Sequence, residues 1–361
     1  MIAGQNDFSH FQEGSARLRR AMAGLADRVP VFGQLHEFAA EYLRIPRREF
    51  FTRPDLSVPA LLQTQQDFGI DVASVTYDVY NIEAEALGQE LVWIDGCMPD
   101  VDRSKPLVRN RGDLARIRTP DFETAGRFQQ VIRMHALFRE LTGLEPTLSF
   151  CAPFSLAANL RGIEQLLIDM HEDPEFARGL MDAVTEEVLA PWILYQKRRL
   201  PGAARAAGAD ATASLPIVNL PILKRWIIPS IQRLRELCGP EVYVANWVGE
   251  HYLPNPAEML KLKLAVGPGA LWAQDPDVES LGPALFKDFA VARDVPLVLG
   301  VGAGFLALAK GGDVEARVRD YVRVGGRGGR FALYLCNVGA TTPAANLRAA
   351  VETAHAVRPQ P

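Results

Sequence analysis

Short β-rich runs alternate with longer helical ones along nearly all of this 361-residue chain, and that alternation leaves few folds open. Runs rich in β-branched, aromatic or small apolar residues and bounded by turn residues fall at 29–35, 71–78, 147–152, 208–214, 242–248, 270–274, 296–301 and 331–336. Between them the apolar spacing becomes helical, as at 173–200, 217–238, 256–264, 314–324 and 346–357. Asp173-Pro174-Glu175 is a helix start: an N-cap acceptor, a proline at the first helical position, an acid in the first turn. Eight β-runs, each followed by a helix, predict an α/β protein built as a single (β/α)8 TIM barrel rather than a doubly wound sheet. The stretch 84–125 breaks the alternation and reads as a hairpin-like insertion after the second strand. No internal repeat or low-complexity segment appears. The expectation is one domain over 1–361, with 1–16 as an extended N-terminal arm.

Composition narrows the setting. Hydrophobic residues at 48% and charged ones at 23% fit a globular core, not disorder. With a net charge of −4 and arginines scattered among acids, there is no nucleic-acid-binding stripe. Arg327 and Arg330, inside GGRGGR, are expected to turn the chain into a strand. Cys97, Cys151, Cys238 and Cys336 form no CxxC pair, which points to reduced thiols in a cytoplasmic protein. The first residues lack the apolar core of a secretory signal, and no uninterrupted apolar run reaches the roughly 18 residues of a membrane span.

A barrel keeps its chemistry at the C-terminal ends of its strands. The last β-run, FALYLC, delivers Cys336 to that rim as a nucleophile, a metal ligand or a packed small hydrophobe. Asp78 ends the second run. Its carboxylate binds a cationic or N–H-bearing ligand, does acid–base work, or caps the next helix. Glu83 and Glu85 read as solvated or helix-start acids. On the fourth strand Asp210 and Ser214 share a face. Ser214 has no evident His partner, so it reads as a substrate hydrogen-bonding group or a satisfied interior hydroxyl.

Asn246, Glu250 and His251 follow the fifth strand, and His36 lies just past the first. A lone histidine is either a functional imidazole or a packing residue. His251, Cys336 and a carboxylate would make a three-ligand zinc site with an open fourth position. The glycine-rich 298–304 ends a strand without the acid some 20 residues on that a dinucleotide fingerprint requires, so it reads as a turn or a close approach to an anionic group.

The order of these segments resembles the uroporphyrinogen decarboxylase superfamily, which includes corrinoid-linked methyltransferases. RLRRAMAG with DRVPV, TYDV with EAEALG, CAPFSLA, GADATAS, LGVGAG and TTPAANL fall in the family's order over residues 17–357. The resemblance implies the same barrel and a possible homodimer. It also implies a substrate-binding role for Asp78. True decarboxylases carry an arginine-rich segment that grips a many-carboxylate substrate, but here that position is FGQLHEF, residues 32–38. The family tyrosine after the third-strand motif falls on Asn159, and the decarboxylases' C-terminal histidine falls on Cys336.

The methyltransferase branch resembles this chain in having a cysteine where Cys336 stands, as a zinc ligand. Its other ligands are a His-x-Cys pair, which here reads Asn246-Trp247-Val248. Zinc lowers a substrate thiol's pKa so that the thiolate attacks a methyl group. Without the pair, the metal is lost, His251 or Glu250 replaces it, or the acceptor is not a thiol.

The expected function is therefore a methyltransferase acting on a small methylated substrate or methyl acceptor, with a corrinoid delivered by a partner protein. Asp78, His36 and Cys336 are its expected catalytic residues, and Ser214, Asn246 and Asn159 its substrate contacts. The alternatives are a decarboxylase-like lyase and a non-catalytic ligand-binding barrel.

Overall fold

The computed structural model describes residues 7–94 and 96–358. Among them nine strands form: β1 (Val31–Gly33), β2 (Leu91–Val92), β3 (Asp100–Val101), β4 (Leu148–Cys151), β5 (Ala206–Ala209), β6 (Val242–Val244), β7 (Leu271–Gln274), β8 (Leu297–Val301) and β9 (Phe331–Leu335). One parallel sheet runs β1-β9-β8-β7 and a second runs β4-β5-β6. β2 and β3 make a separate two-rung antiparallel ladder within the stretch that breaks the alternation.

Strand alternation sorts the side chains. Val31, Leu271, Leu299, Leu333 and Leu335 point outward and pack with Phe286, Val318 and Leu347 from the helices Pro283–Val291, Asp313–Gly325 and Ala344–Ala356. Leu148, Phe150, Ala206, Val242 and Val244 do the same on the second sheet, against Leu180, Trp192 and Ile231. Each fully buried aliphatic side chain of this kind contributes about 1.5–3 kcal/mol.

Residues of opposite parity face inward. Phe32 on β1 and Trp272 on β7 bring their ring centroids to 5.5 Å, although two strands lie between them. Three spacings of about 4.8 Å would hold them far apart in a flat sheet, so this sheet curls tightly about its inner face.

Seven of the eight expected parallel strands form, and the difference at the eighth has a local cause. Residues 71–78 form no ladder: Asp71 N and Val72 N both donate to the Val31 carbonyl of β1, at 2.9 and 3.3 Å, but the segment makes no strand. The Gln65 side chain donates Nε2 to the Ser74 carbonyl at 2.7 Å and accepts the Ser74 N–H at 2.8 Å, occupying both groups that a neighbouring strand would bond. The strand expected at 208–214 begins and ends earlier. It stops at Ala209, and Ala211–Ala213 is a 3-10 turn.

The N-terminal arm is corrected as well. Residues 1–6 lie outside those described, and from Phe11 the chain is helical (Phe11–Met22) because Phe8 and Phe11 are buried in the core. The helix signalled by Asp173-Pro174 forms as Pro174–Ala183, with Asp173 capping Phe176 N at 3.2 Å, and continues through a π-helical turn into Ala190–Arg199. Gly328 and Gly329, at φ of 65° and 69°, turn the chain into β9 as the GGRGGR motif predicts. No helix among the described residues is long and apolar enough to cross a membrane.

Candidate active site

At the C-terminal ends of β5 and β6 three side chains lock together. The Tyr80 hydroxyl oxygen accepts hydrogen bonds from Asn246 Nδ2 at 3.0 Å and from the Ala211 N–H at 2.9 Å. Asn246 Oδ1 accepts the Asp210 N–H at 3.0 Å, so both ends of that amide are used. The Asp210 carboxylate accepts from Ser155 Oγ at 2.8 Å, Ser155 N at 3.2 Å and Trp247 Nε1 at 3.1 Å. Burial pushes Asp210 up to about 6 despite these donors.

Burial also raises the Tyr80 phenol, which stays protonated at neutral pH. Two donors on its oxygen polarise the O–H bond, and no acceptor among the described residues takes that proton. Tyr80 is thus a poised donor at the rim. Its position two residues after Asp78, in TYDVY, was the only signal for it in the sequence.

Asp78 reaches the rim but is not free. Arg127 Nη1 and Nη2 bond its two oxygens at 2.9 and 2.6 Å, and Asn81 Nδ2 adds a third contact at 3.0 Å. Arg127 also donates to Glu85 Oε2 at 2.6 Å and to the Phe51 carbonyl at 3.1 Å. With both side chains buried, the Asp78 carboxylate is engaged by Arg127 and Asn81 rather than open to the interior.

His36 begins the helix His36–Tyr42 and sits edge-on to Phe51. Its Nδ1 is buried without a partner, and burial lowers the imidazole's pKa, leaving the ring neutral. Cys336 donates its thiol to Gln274 Oε1 at 3.2 Å, and burial pushes it up to about 12. It is a protonated thiol, not a ready nucleophile.

The remaining expected contacts serve the loops. Asn159 Nδ2 holds the Tyr80 carbonyl at 2.7 Å, which positions Tyr80 from behind. Ser214 lies past the 3-10 turn, where its Oγ accepts the Val248 N–H at 3.1 Å, so it does not share a strand face with Asp210. Of the six expected residues, Asn246 and Asn159 meet at Tyr80, and the other four are held elsewhere.

Glu83 stands in the first turn of the helix Ile82–Ala86, as the helix-start reading expects, but it is not solvated. It is fully buried, with Oε1 accepting the Cys151 N–H at 3.1 Å and Oε2 unpartnered. Burial pushes it up to about 8, so it is a neutral carboxylic acid at pH 7.

The residues present do not fit zinc, which takes a near-tetrahedral set of sulfur, imidazole and carboxylate donors. Cys336 faces Gln274, Asn246 is used at both ends, and Val248 has no donor atom. His251 Nδ1 is committed to Asp277 at 2.6 Å, while Glu250 is buried against Lys263. Among the described residues no three His, Cys, Asp or Glu converge as a metal site. The glycine-rich 298–304 acts as a turn: Gly302 N donates to Asp275 Oδ2 at 2.9 Å as the chain leaves β8.

Comparison with known proteins bears on this geometry. The chain is 28% identical over 238 residues to a methylated-thiol–coenzyme M methyltransferase of Methanosarcina mazei, an alignment spanning 62% of each protein. The matched region therefore covers less than two thirds of that relative's length. Its fold is similar to that of a solved methyltransferase from Methanosarcina mazei, with a TM-score of 0.75 at 19% identity, covering 94% of this chain and 98% of the other. The family model for uroporphyrinogen decarboxylase (URO-D) matches residues 14–357. With that match spanning nearly the whole chain, this protein belongs to the uroporphyrinogen decarboxylase (URO-D) family.

Proposed function

We propose that this protein is a methyltransferase that exchanges a methyl group between a small molecule and a corrinoid carried on a separate protein. We read its two sheets as the halves of one (β/α)8-type barrel in a single domain. The likeness to a methylated-thiol–coenzyme M methyltransferase carries the reading. The corrinoid, when its carrier is docked, would supply either a reduced, nucleophilic cobalt that takes the methyl group or, once methylated, the electrophilic methyl group that an acceptor takes.

The chain's own residues bind and orient the small molecule. Tyr80 donates its unclaimed proton to a heteroatom of the substrate, while Asn246 and the Ala211 N–H fix its oxygen and Asn159 fixes its backbone. A donor held this way needs little reorganisation as charge shifts onto that heteroatom. Large apolar side chains stand exposed on the segments after β5, β6 and β8, namely Ile217, Tyr252 and Leu308, and they suit the approach of a protein partner. The donor set around Cys336 does not fit the metal that activates thiols, which favours an oxygen- or nitrogen-linked methyl donor over a thiol acceptor.

The lyase reading has less support. A substrate with many carboxylates needs free guanidinium groups, and Arg127 beside Asp78 is consumed by Asp78 and Glu85.

The test is to mix the protein with a reduced corrinoid and a panel of O- and N-methyl donors, following loss of the reduced corrinoid's absorbance. Turnover that falls about 100-fold in Tyr80→Phe supports the assignment. Full activity in that variant removes Tyr80 from the site, and inactivity of the folded protein with every donor overturns methyl transfer.

A further inference from the structure

The inner face of the four-stranded sheet carries an aromatic wall. Phe32, Trp272 and Tyr334 come from β1, β7 and β9, and strand alternation turns all three inward, opposite their buried neighbours Val31, Leu271 and Leu333. The ring centroids are 5.1 Å apart for Phe32 and Tyr334, 5.5 Å for Phe32 and Trp272, and 5.7 Å for Trp272 and Tyr334. Interplanar angles of 39°, 81° and 76° show that the Phe32 and Tyr334 rings are tilted against each other, while Trp272 stands edge-on to both.

These rings lie at the centre of the fold, yet none is fully buried, so they border open space rather than fill it. Gly300 on β8, paired with Gln274 on one side and Tyr334 on the other, contributes no side chain. A Cβ there would stand 3.2 Å from Tyr334 Cδ1. Across the interior, the second sheet turns inward the small residues Ser149 and Ala207 and, from β6, the ring of Tyr243.

The charge at this end of the strands is already paired. Asp210 is committed to Ser155 and Trp247, and Asp275 to Tyr321, Arg317 and Gly302 N. A guest cation would therefore be held by ring faces rather than by a carboxylate. That selects for its chemistry. A primary ammonium brings three N–H donors that the rings cannot satisfy, whereas a quaternary onium brings none and spreads its charge over methyl groups.

We propose that Phe32, Trp272 and Tyr334 bind the quaternary ammonium end of an N-methylated substrate; with such a donor Tyr80 hydrogen-bonds an oxygen elsewhere on the molecule instead of the departing heteroatom. The purpose assigned to this site rests on the methyl-transfer reading, but its existence does not. In the transfer itself the C–N bond would break with its electron pair passing to nitrogen. A neutral tertiary amine leaves, no proton is required, and the methyl group goes to the reduced corrinoid of the partner.

The experiment is calorimetric titration of the whole protein, without any corrinoid, using choline and its uncharged isostere 3,3-dimethylbutan-1-ol. The expected result is a dissociation constant at least about 10-fold lower for choline, the margin that a desolvated cation–ring contact gives. In Trp272→Leu that preference should disappear, while Tyr334→Phe, which keeps the ring, should retain it. Equal affinity for the two probes, or binding of neither, overturns the proposal, and this comparison needs no variant to fold. Choline binding without methyl transfer to any corrinoid would retain the onium site and reject the reading of methyl transfer instead.

Discussion

Arg127 closes over Asp78 through both carboxylate oxygens, at 2.9 and 2.6 Å, and the pair lies beneath the surface. Two residues 49 positions apart in sequence thereby join the turn after residues 71–78 to the start of the helix Phe128–Thr142. The carboxylate that most resembles a family substrate ligand is thus spent on holding the rim in place.

Removing one partner leaves the other charge buried and unpaired. Arg127→Met should lower unfolding free energy by about 3–5 kcal/mol, and Asp78→Asn by a similar amount. Urea denaturation of each variant measures this directly. A Asp78→Asn protein of undiminished stability but no activity would return Asp78 to the chemistry.

Glu83 should imprint its titration on stability. Its folded-state pKa of about 8 lies above the ordinary 4.5, so the native protein keeps a proton that the unfolded chain releases between those values. The stability this confers is complete below about pH 4.5 and is lost as pH rises toward 8. Across that window the slope approaches about −1.4 kcal/mol per pH unit, and Glu83→Gln should flatten it. Denaturation midpoints from pH 5 to 9 would show an unchanged slope in the variant if the carboxyl were ionised.

Asp71 should act in the opposite sense. Burial alone would raise its carboxyl, but His355 at 2.8 Å, the Val31 N–H at 2.9 Å and Arg28 together hold it below its ordinary value. Its contribution is present above the ordinary carboxylate range and is lost as pH falls through the lowered value. Asp71→Asn should cost about 2–4 kcal/mol at pH 7 and much less near pH 2. Acid denaturation of the variant beside the parent protein tests both statements.

Gly300 should tolerate no methyl group. A Cβ at that position would stand 2.6 Å from Gln274 Cβ, so Gly300→Ala should cost about 1–3 kcal/mol. An unchanged melting temperature would mean that Gln274 and Tyr334 shift freely.

The parallel strands were legible in the sequence because each is a run of β-formers between turns, with an apolar face that a helix must cover. β8 and β9 match their expected spans within a residue. The segment 71–78 has the same alternation, but after its first bonds to Val31 the Ser74 backbone is taken by the side chain of Gln65, and no periodicity registers that. The candidate site was legible where one residue stands at a strand end, as Asn246 does. It was illegible where the role depends on a distant partner. Nothing near Asp78 announces Arg127, and nothing near Glu83 announces that Cys151 will bury it. Tyr80 escaped notice because a tyrosine beside an aspartate at a rim looks like packing until Asn246, 166 residues later, bonds its oxygen.

The Gln65–Ser74 pairing gives the rim an unusual mechanical character. A conventional strand is zipped to its neighbours along its length, so strain at one rung is shared by the next. Residues 71–78 are instead fastened at separate points: Asp71 to Val31 of β1, the N-terminal arginines and His355, Ser74 to Gln65 and the Gly33 carbonyl, and Asp78 to Arg127. The stretch carrying Tyr80 toward the interior is thus suspended from rivets, and loosening any one of them would reposition the phenol while every β-ladder stayed intact.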